Sequence, residues 1–138
     1  MSHTIEAKWE GNMMFNASVN GHNIMMDSTP EGGGEDKGAR PKYLMLAALA
    51  GCTGMDVVSI LKKMKVELSY FNVKVEADIT QEHPKHYTKM HLIYEFGGNN
   101  LDIDKLKKAI DLSQDKYCGV SYMYRKSMEI THEIKIIE

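Results

Sequence analysis

Thirteen consecutive residues without a charge, Tyr43-Leu-Met-Leu-Ala-Ala-Leu-Ala-Gly-Cys-Thr-Gly-Met55, constrain this chain more than any other feature. So apolar a run has to be buried, and it is shorter than the roughly 20 residues a bilayer span requires. Pro41 suits the first turn of a helix, where its missing N–H costs nothing. Beyond Met55 the pattern turns amphipathic, with Val57, Ile60, Leu61 and Met64 on one side and Asp56, Lys62 and Lys63 on others. The pattern predicts a helix from Pro41 to about Lys65, buried all round in its first half. Gly51 and Gly54 weaken it near the middle and mark a point where it could divide.

Strands flank this helix on both sides. Thr4–Trp9, Met13–Val19 and His22–Asp27 read as short strands, and Asn20-Gly21 between the last two is a type I′ hairpin signal. The next thirteen residues, Ser28 to Arg40, hold four glycines and a proline among charges and read as a mobile surface loop. After the helix, Ser69–Gln81 and His86–Phe96 form an expected antiparallel hairpin, with Val73, Val75, Ala77 and Ile79 marking its buried face. Asp102 is a good N-cap for a second helix through Leu106, Ile110 and Leu112 to about Gln114. Ser127–Ile137 closes the chain as a strand. The order βββ–α–ββ–α–β around one buried helix argues for an α+β fold, and 138 residues fit a single domain spanning 1–138.

Composition excludes several classes of partner. Seventeen Lys and Arg against 19 Asp and Glu leave a net charge of −2, which gives no electrostatic reason to expect nucleic acid or an anionic membrane. The first residues lack the apolar segment of a secretory signal, so the expected compartment is the cytoplasm. There, two cysteines are expected to be free or redox-active rather than a permanent disulfide. Cys52 and Cys118 are not in a CxxC pair, and two thiols alone make a poor zinc site. His83, His86 and His91 lack helical ligand spacing, so no metal is expected, and no bound cofactor is expected either. Gly33 and Gly38 have the P-loop separation, yet Ala39-Arg40 stands where Lys-Ser/Thr is needed. Tyr117, Tyr122 and Tyr124 are expected to pack.

Cys52 itself reads two ways. Free cysteine is among the most buried residue types, so inert packing is one. The other is a nucleophile in an apolar pocket, which needs a nearby positive charge or hydrogen-bond donors, because burial alone raises a thiol's pKa. Arg40 and Lys37 are the candidate cations.

Pro41-x-x-Leu44 leading through Ala47-Ala-Leu-Ala-Gly-Cys52, with a second cysteine in Tyr117-Cys-Gly-Val120, resembles the OsmC/Ohr family of thiol-dependent peroxidases. Gly51–Asp56 is most similar to the OsmC-like branch of that family. The resemblance implies an intertwined homodimer with the cysteine helices at its centre. It also implies a peroxidatic Cys52 that attacks an alkyl or fatty-acid hydroperoxide, and a resolving Cys118 that forms an intrasubunit disulfide reopened by a dithiol reductant. An arginine held by a glutamate activates the thiolate in such proteins; here Lys42 and Tyr43 stand at the glutamate's place, and Arg40 is the candidate arginine. A non-catalytic relative binding a small apolar ligand in the dimer-interface cleft is the alternative.

Overall fold

The structure is a computed structural model and describes residues 1–137. The chain forms two compact units, Met1–Met45 and the part from Leu46 onward. In the first, β1 (Glu6–Trp9), β2 (Phe15–Val19) and β3 (His22–Met26) make an antiparallel meander in that order. The β2–β3 connection is the expected two-residue hairpin: Asn20 and Gly21 carry φ of 39° and 89°, the doubly positive φ that type I′ demands. Ala17 and Asp27 are the buried residues of this unit, whereas Ile5, Trp9, Met13 and Phe15 are exposed.

The glycine-rich segment after β3 is organised rather than open. The Asp27 carboxylate accepts from the backbone N–H groups of Ser28 at 2.7 Å, Glu35 at 3.2 Å and Lys37 at 3.1 Å. Thr29 caps a 3-10 turn at Pro30–Gly32, and Ala39 returns to bridge Met26. The glycines serve this folding and not a phosphate: a Cβ on Gly38 would sit 2.6 Å from the Met25 carbonyl, and one on Gly34 would strike the Ser28 carbonyl. The N–H donors of Lys37 and Ser28, then of Glu35, hold the Asp27 carboxyl below its ordinary value against the opposing effect of burial. Its contribution to stability is therefore present above the ordinary carboxyl range of about 3.9 and is lost as pH falls through the lowered folded value. Asp27→Asn should reduce the melting temperature at pH 7, with the gap to the parent closing below that range. A gap that stays constant from pH 6 to pH 3 would contradict this assignment.

Helix α1 (Tyr43–Lys63) runs unbroken through Gly51 and Gly54 into the second unit. Tyr43 N, Leu44 N and Met45 N bond to the carbonyls of Arg40, Pro41 and Lys42, so Pro41 lies in the turn that starts the helix, not in the helix itself. The expectation that its first half is buried all round is not met within one chain. Only Leu49, Thr53, Val57 and Leu61, spaced by four, are fully covered, while Met55 is 76% exposed and Val58 47%. One sheet and one helix can cover only one stripe of a helix. By length and composition alone α1 could cross a membrane, since the helix extends well beyond the uncharged run, yet its stripe packs as a core helix does.

In the second unit β4 (Tyr70–Ile79) and β5 (Tyr87–Gly97) form the predicted antiparallel hairpin, and β6 (Glu129–Ile136) pairs parallel to β5 on its other side. β5 is thus the central strand, and Leu92, Tyr94 and Phe96 on one face are wholly buried with Leu49, Val57 and Leu61 of α1. Burying a side chain of that kind is worth roughly 1.5–3 kcal/mol. Parallel pairing requires a crossover, which is supplied by α2 (Ile103–Leu112) and α3 (Gly119–Arg125). Asp102 caps α2 as predicted, accepting from Asp104 N and Lys105 N. The observed order, βββ–α–ββ–α–α–β, adds α3 to the expected one. Seven residues opening on Gly119 are too few to show helical periodicity.

Candidate active site

Between α2 and α3 the chain makes one π turn, Ser113–Tyr117, closed by Cys118 N–H donating to the Ser113 carbonyl at 2.7 Å. Such turns widen a helix by one residue and recur at functional sites. Here the turn buries Ser113 and Gln114 and leaves Cys118 at the head of α3, where its sulfur accepts from Ser121 N at 3.4 Å. Cys118 is 2% exposed. Cys52 comes from the middle of α1, half-buried, one residue before the buried Thr53, and Asp56 lies one helical turn further on. The Cys52 sulfur, the Cys118 sulfur and an Asp56 carboxylate oxygen all lie within 4.8 Å of one another. Both thiols are free.

Burial is the largest influence on Cys52 and pushes its thiol above the ordinary range. The Val120 backbone N–H donates to the sulfur and opposes this, while Cys118 and the charge of Asp56 push further up. The net direction is upward, which favours the protonated thiol, and Cys118 is its side-chain hydrogen-bond partner. Arg40, the candidate cation, donates from Nη1 to Asp36 Oδ1 at 2.6 Å and to the Gly38 carbonyl at 3.0 Å, both in its own loop. Lys37 pairs with Glu35 at 3.6 Å.

A line of buried hydrogen bonds runs past the two cysteines. Ser113 Oγ donates to Asp56 Oδ2 at 2.9 Å, so it must accept from Thr53 Oγ1 at 2.7 Å. Thr53 has then spent its one proton and must accept from the Tyr94 hydroxyl at 2.7 Å. Tyr94 in turn accepts from Gln114 Nε2 at 2.8 Å, and the orientation of that amide is set by Arg125 Nη2, which donates to Gln114 Oε1 at 2.8 Å and to the Gln114 carbonyl at 2.6 Å. The chain of donors therefore has one sense, from the Arg125 guanidinium to the Asp56 carboxylate. Burial pushes the Tyr94 phenol up, partly offset by its bonds to Thr53 and Gln114.

None of Thr53, Tyr94, Ser113, Gln114 or Arg125 stands out in the sequence as a site residue. One signal was available: Thr53 is a polar residue four positions from Leu49 and from Val57, in the middle of an apolar stripe. The other candidates of the sequence lie elsewhere. His91 bridges Thr131 and Glu133 at 2.7 Å each, and His86 bonds the Pro84 carbonyl. Tyr117 and Tyr122 are exposed rather than packed, and only Tyr124 joins the core. Along the uncovered side of α1 a mostly apolar groove of about 690 Å³ is lined by Gly54, Met55 and Val58 with Phe71 and Val73 of β4.

Residues 34–133 match the protein family described as OsmC-like protein. Protein YhfA of Escherichia coli strain K12 is 35% identical over 131 residues, which is 94% of this chain and 95% of that protein. Among solved structures, a hypothetical protein of Aquifex aeolicus VF5 superposes with a TM-score of 0.83 at 28% identity, covering 100% of this chain and 99% of the other. An organic hydroperoxide resistance protein of Elizabethkingia anophelis superposes with a TM-score of 0.73 at 19% identity, covering 99% of both chains.

Proposed function

The chain belongs to the OsmC-like protein family, and on that premise we propose that it reduces organic hydroperoxides through Cys52 and Cys118. The observation that carries this reading is the approach of the two free sulfurs to within 4.8 Å, one half-buried and one buried. The Cys52 thiolate attacks the distal hydroperoxide oxygen: an S–O bond forms, the O–O bond breaks, and the alkoxide leaves as the alcohol after taking a proton. The Cys118 thiolate then attacks the sulfenic sulfur: the S–S bond forms, the S–O bond breaks, and the leaving hydroxide takes a proton to become water. An external dithiol reopens the disulfide by exchange. Arg40 is the proposed activating cation, on release from Asp36, and the proposed setting is the cytoplasm.

Homodimerisation is part of the same reading. Its support is the large apolar side chains left exposed in each unit taken by itself: Met55 and Val58 on α1 in the second, and Trp9, Met13 and Phe15 in the first.

Two measurements on one reduced sample test the proposal. Light scattering should give twice the chain mass. One equivalent of cumene hydroperoxide should remove two hydrogens per chain, with a Cys52–Cys118 peptide after digestion. If both thiols stay reduced, the second reading takes over, a non-catalytic protein whose groove holds a small apolar ligand. That reading is favoured by the upward push that burial, Cys118 and Asp56 exert on the Cys52 thiol.

A further inference from the structure

We propose that Cys52, Asp56 and Cys118 form a binding site for a thiophilic divalent cation, with Zn²⁺ the best fit. Two cysteines alone are a poor zinc site; the fold adds the third ligand. Cys52 and Asp56 are four residues apart on α1, which places both on one face of the helix, and Cys118 closes the triangle from the head of α3. Tetrahedral zinc with Zn–S near 2.3 Å and Zn–O near 2.0–2.2 Å needs its ligand atoms about 3.5–3.8 Å apart. The three donors here lie within 4.8 Å of one another, so closure asks for a movement of about 1 Å, within reach of small side-chain rotations.

The surroundings supply what ligands of such an ion require. The Asp56 carboxylate is oriented by Ser113 Oγ, and Cys118 receives Ser121 N–H, so both are held by hydrogen bonds from outside the triangle. Once the two thiols give up their protons, a dication offsets the repulsion that two thiolates and a carboxylate exert on one another at this distance. Two thiolates select zinc over magnesium or calcium, which prefer oxygen. With three protein ligands the fourth position stays open to water or a small anion, and binding releases two thiol protons. Metal and disulfide exclude each other, because the same two sulfurs make either bond. The site therefore couples metal occupancy to thiol oxidation, and it stands on its own whether or not hydroperoxides are the substrate.

Co²⁺ titration of the reduced full-length protein, under anaerobic conditions at fixed pH, tests the site. The expected result is a thiolate-to-cobalt band with the intense visible bands of tetrahedral cobalt, saturating at one equivalent per chain and bleached by Zn²⁺. Cys52→Ser and Cys118→Ser should each remove the thiolate band or halve it, and Asp56→Asn should raise the dissociation constant about tenfold or more. Parent protein oxidised with diamide should show no band, which needs no variant to fold. Absence of the band in reduced protein with two titratable thiols would overturn the proposal, as would binding that Asp56→Asn leaves unchanged. Hydroperoxide consumption, assayed on the same preparation with a chelator present, reports separately on the enzymatic reading.

Discussion

On the proposed chemistry, Cys52→Ser is expected to lower the rate of cumene hydroperoxide consumption by about three orders of magnitude or more, to the uncatalysed level, because the reacting atom itself is removed. Cys118→Ser behaves differently. It is expected to consume one equivalent of hydroperoxide per chain and stop, with Cys52 held as a sulfenic acid that dimedone traps. Neither change should unfold the protein. Cys52 is half-buried and serine is nearly isosteric, while at position 118 the hydroxyl of serine can cap α3 as the sulfur does. Comparable turnover in Cys52→Ser and parent would show that another group carries the reaction. The variants also separate attack from resolution, the two steps that the proposed disulfide would merge in the parent protein.

Thr53→Val costs roughly 2–3 kcal/mol of stability, although valine has almost the same shape and leaves no cavity. The loss falls on the hydrogen bonds: the Tyr94 proton has no acceptor, and Ser113 Oγ keeps its bond to Asp56 but loses the one it receives. For a chain of this size the melting temperature should fall by roughly 6–12 °C. Adding Tyr94→Phe removes the orphaned proton, so the double variant should be less destabilised than the sum of the two singles, by about 0.5–3 kcal/mol. Additive losses, or a Thr53→Val change within about 0.5 kcal/mol, would mean that the buried line does not act as a unit.

What the sequence disclosed about this fold was what neighbours in sequence decide. Asn20-Gly21 sets its own turn, and Asp102 caps a helix that begins at the next residue, so both could be read directly. The order of the glycine loop stays hidden from the sequence for the same reason. Its order comes from Asp27, whose bonds reach Glu35 and Lys37, eight and ten positions away, and nothing in a Gly-rich composition announces such a hub. The parallel pairing of β6 with β5 lay further beyond reach, since alternation marks a strand without naming its partner. In the site, Cys52 and Cys118 were legible as unusual residues in matching contexts. The line through Thr53, Tyr94, Ser113 and Gln114 was not, because separations of 41 and 60 residues join ordinary polar side chains that only the folded core brings together. Asp56 stands four residues after Cys52, a spacing that any helix puts on one face, but its orientation depends on Ser113 and the π turn.

The one-way line from Arg125 to Asp56 also has a consequence for how this core breathes. Each hydroxyl proton in it has a single acceptor, and reversing any one of them would require reversing all, against a cation at one end and an anion at the other. The protons on Thr53, Tyr94 and Ser113 should then leave for solvent only when the turn at 113–117 lifts away. Hydroxyl protons normally exchange too fast to observe; slow ones here would act as a clock on the opening of the segment that carries Cys118, read without touching either thiol.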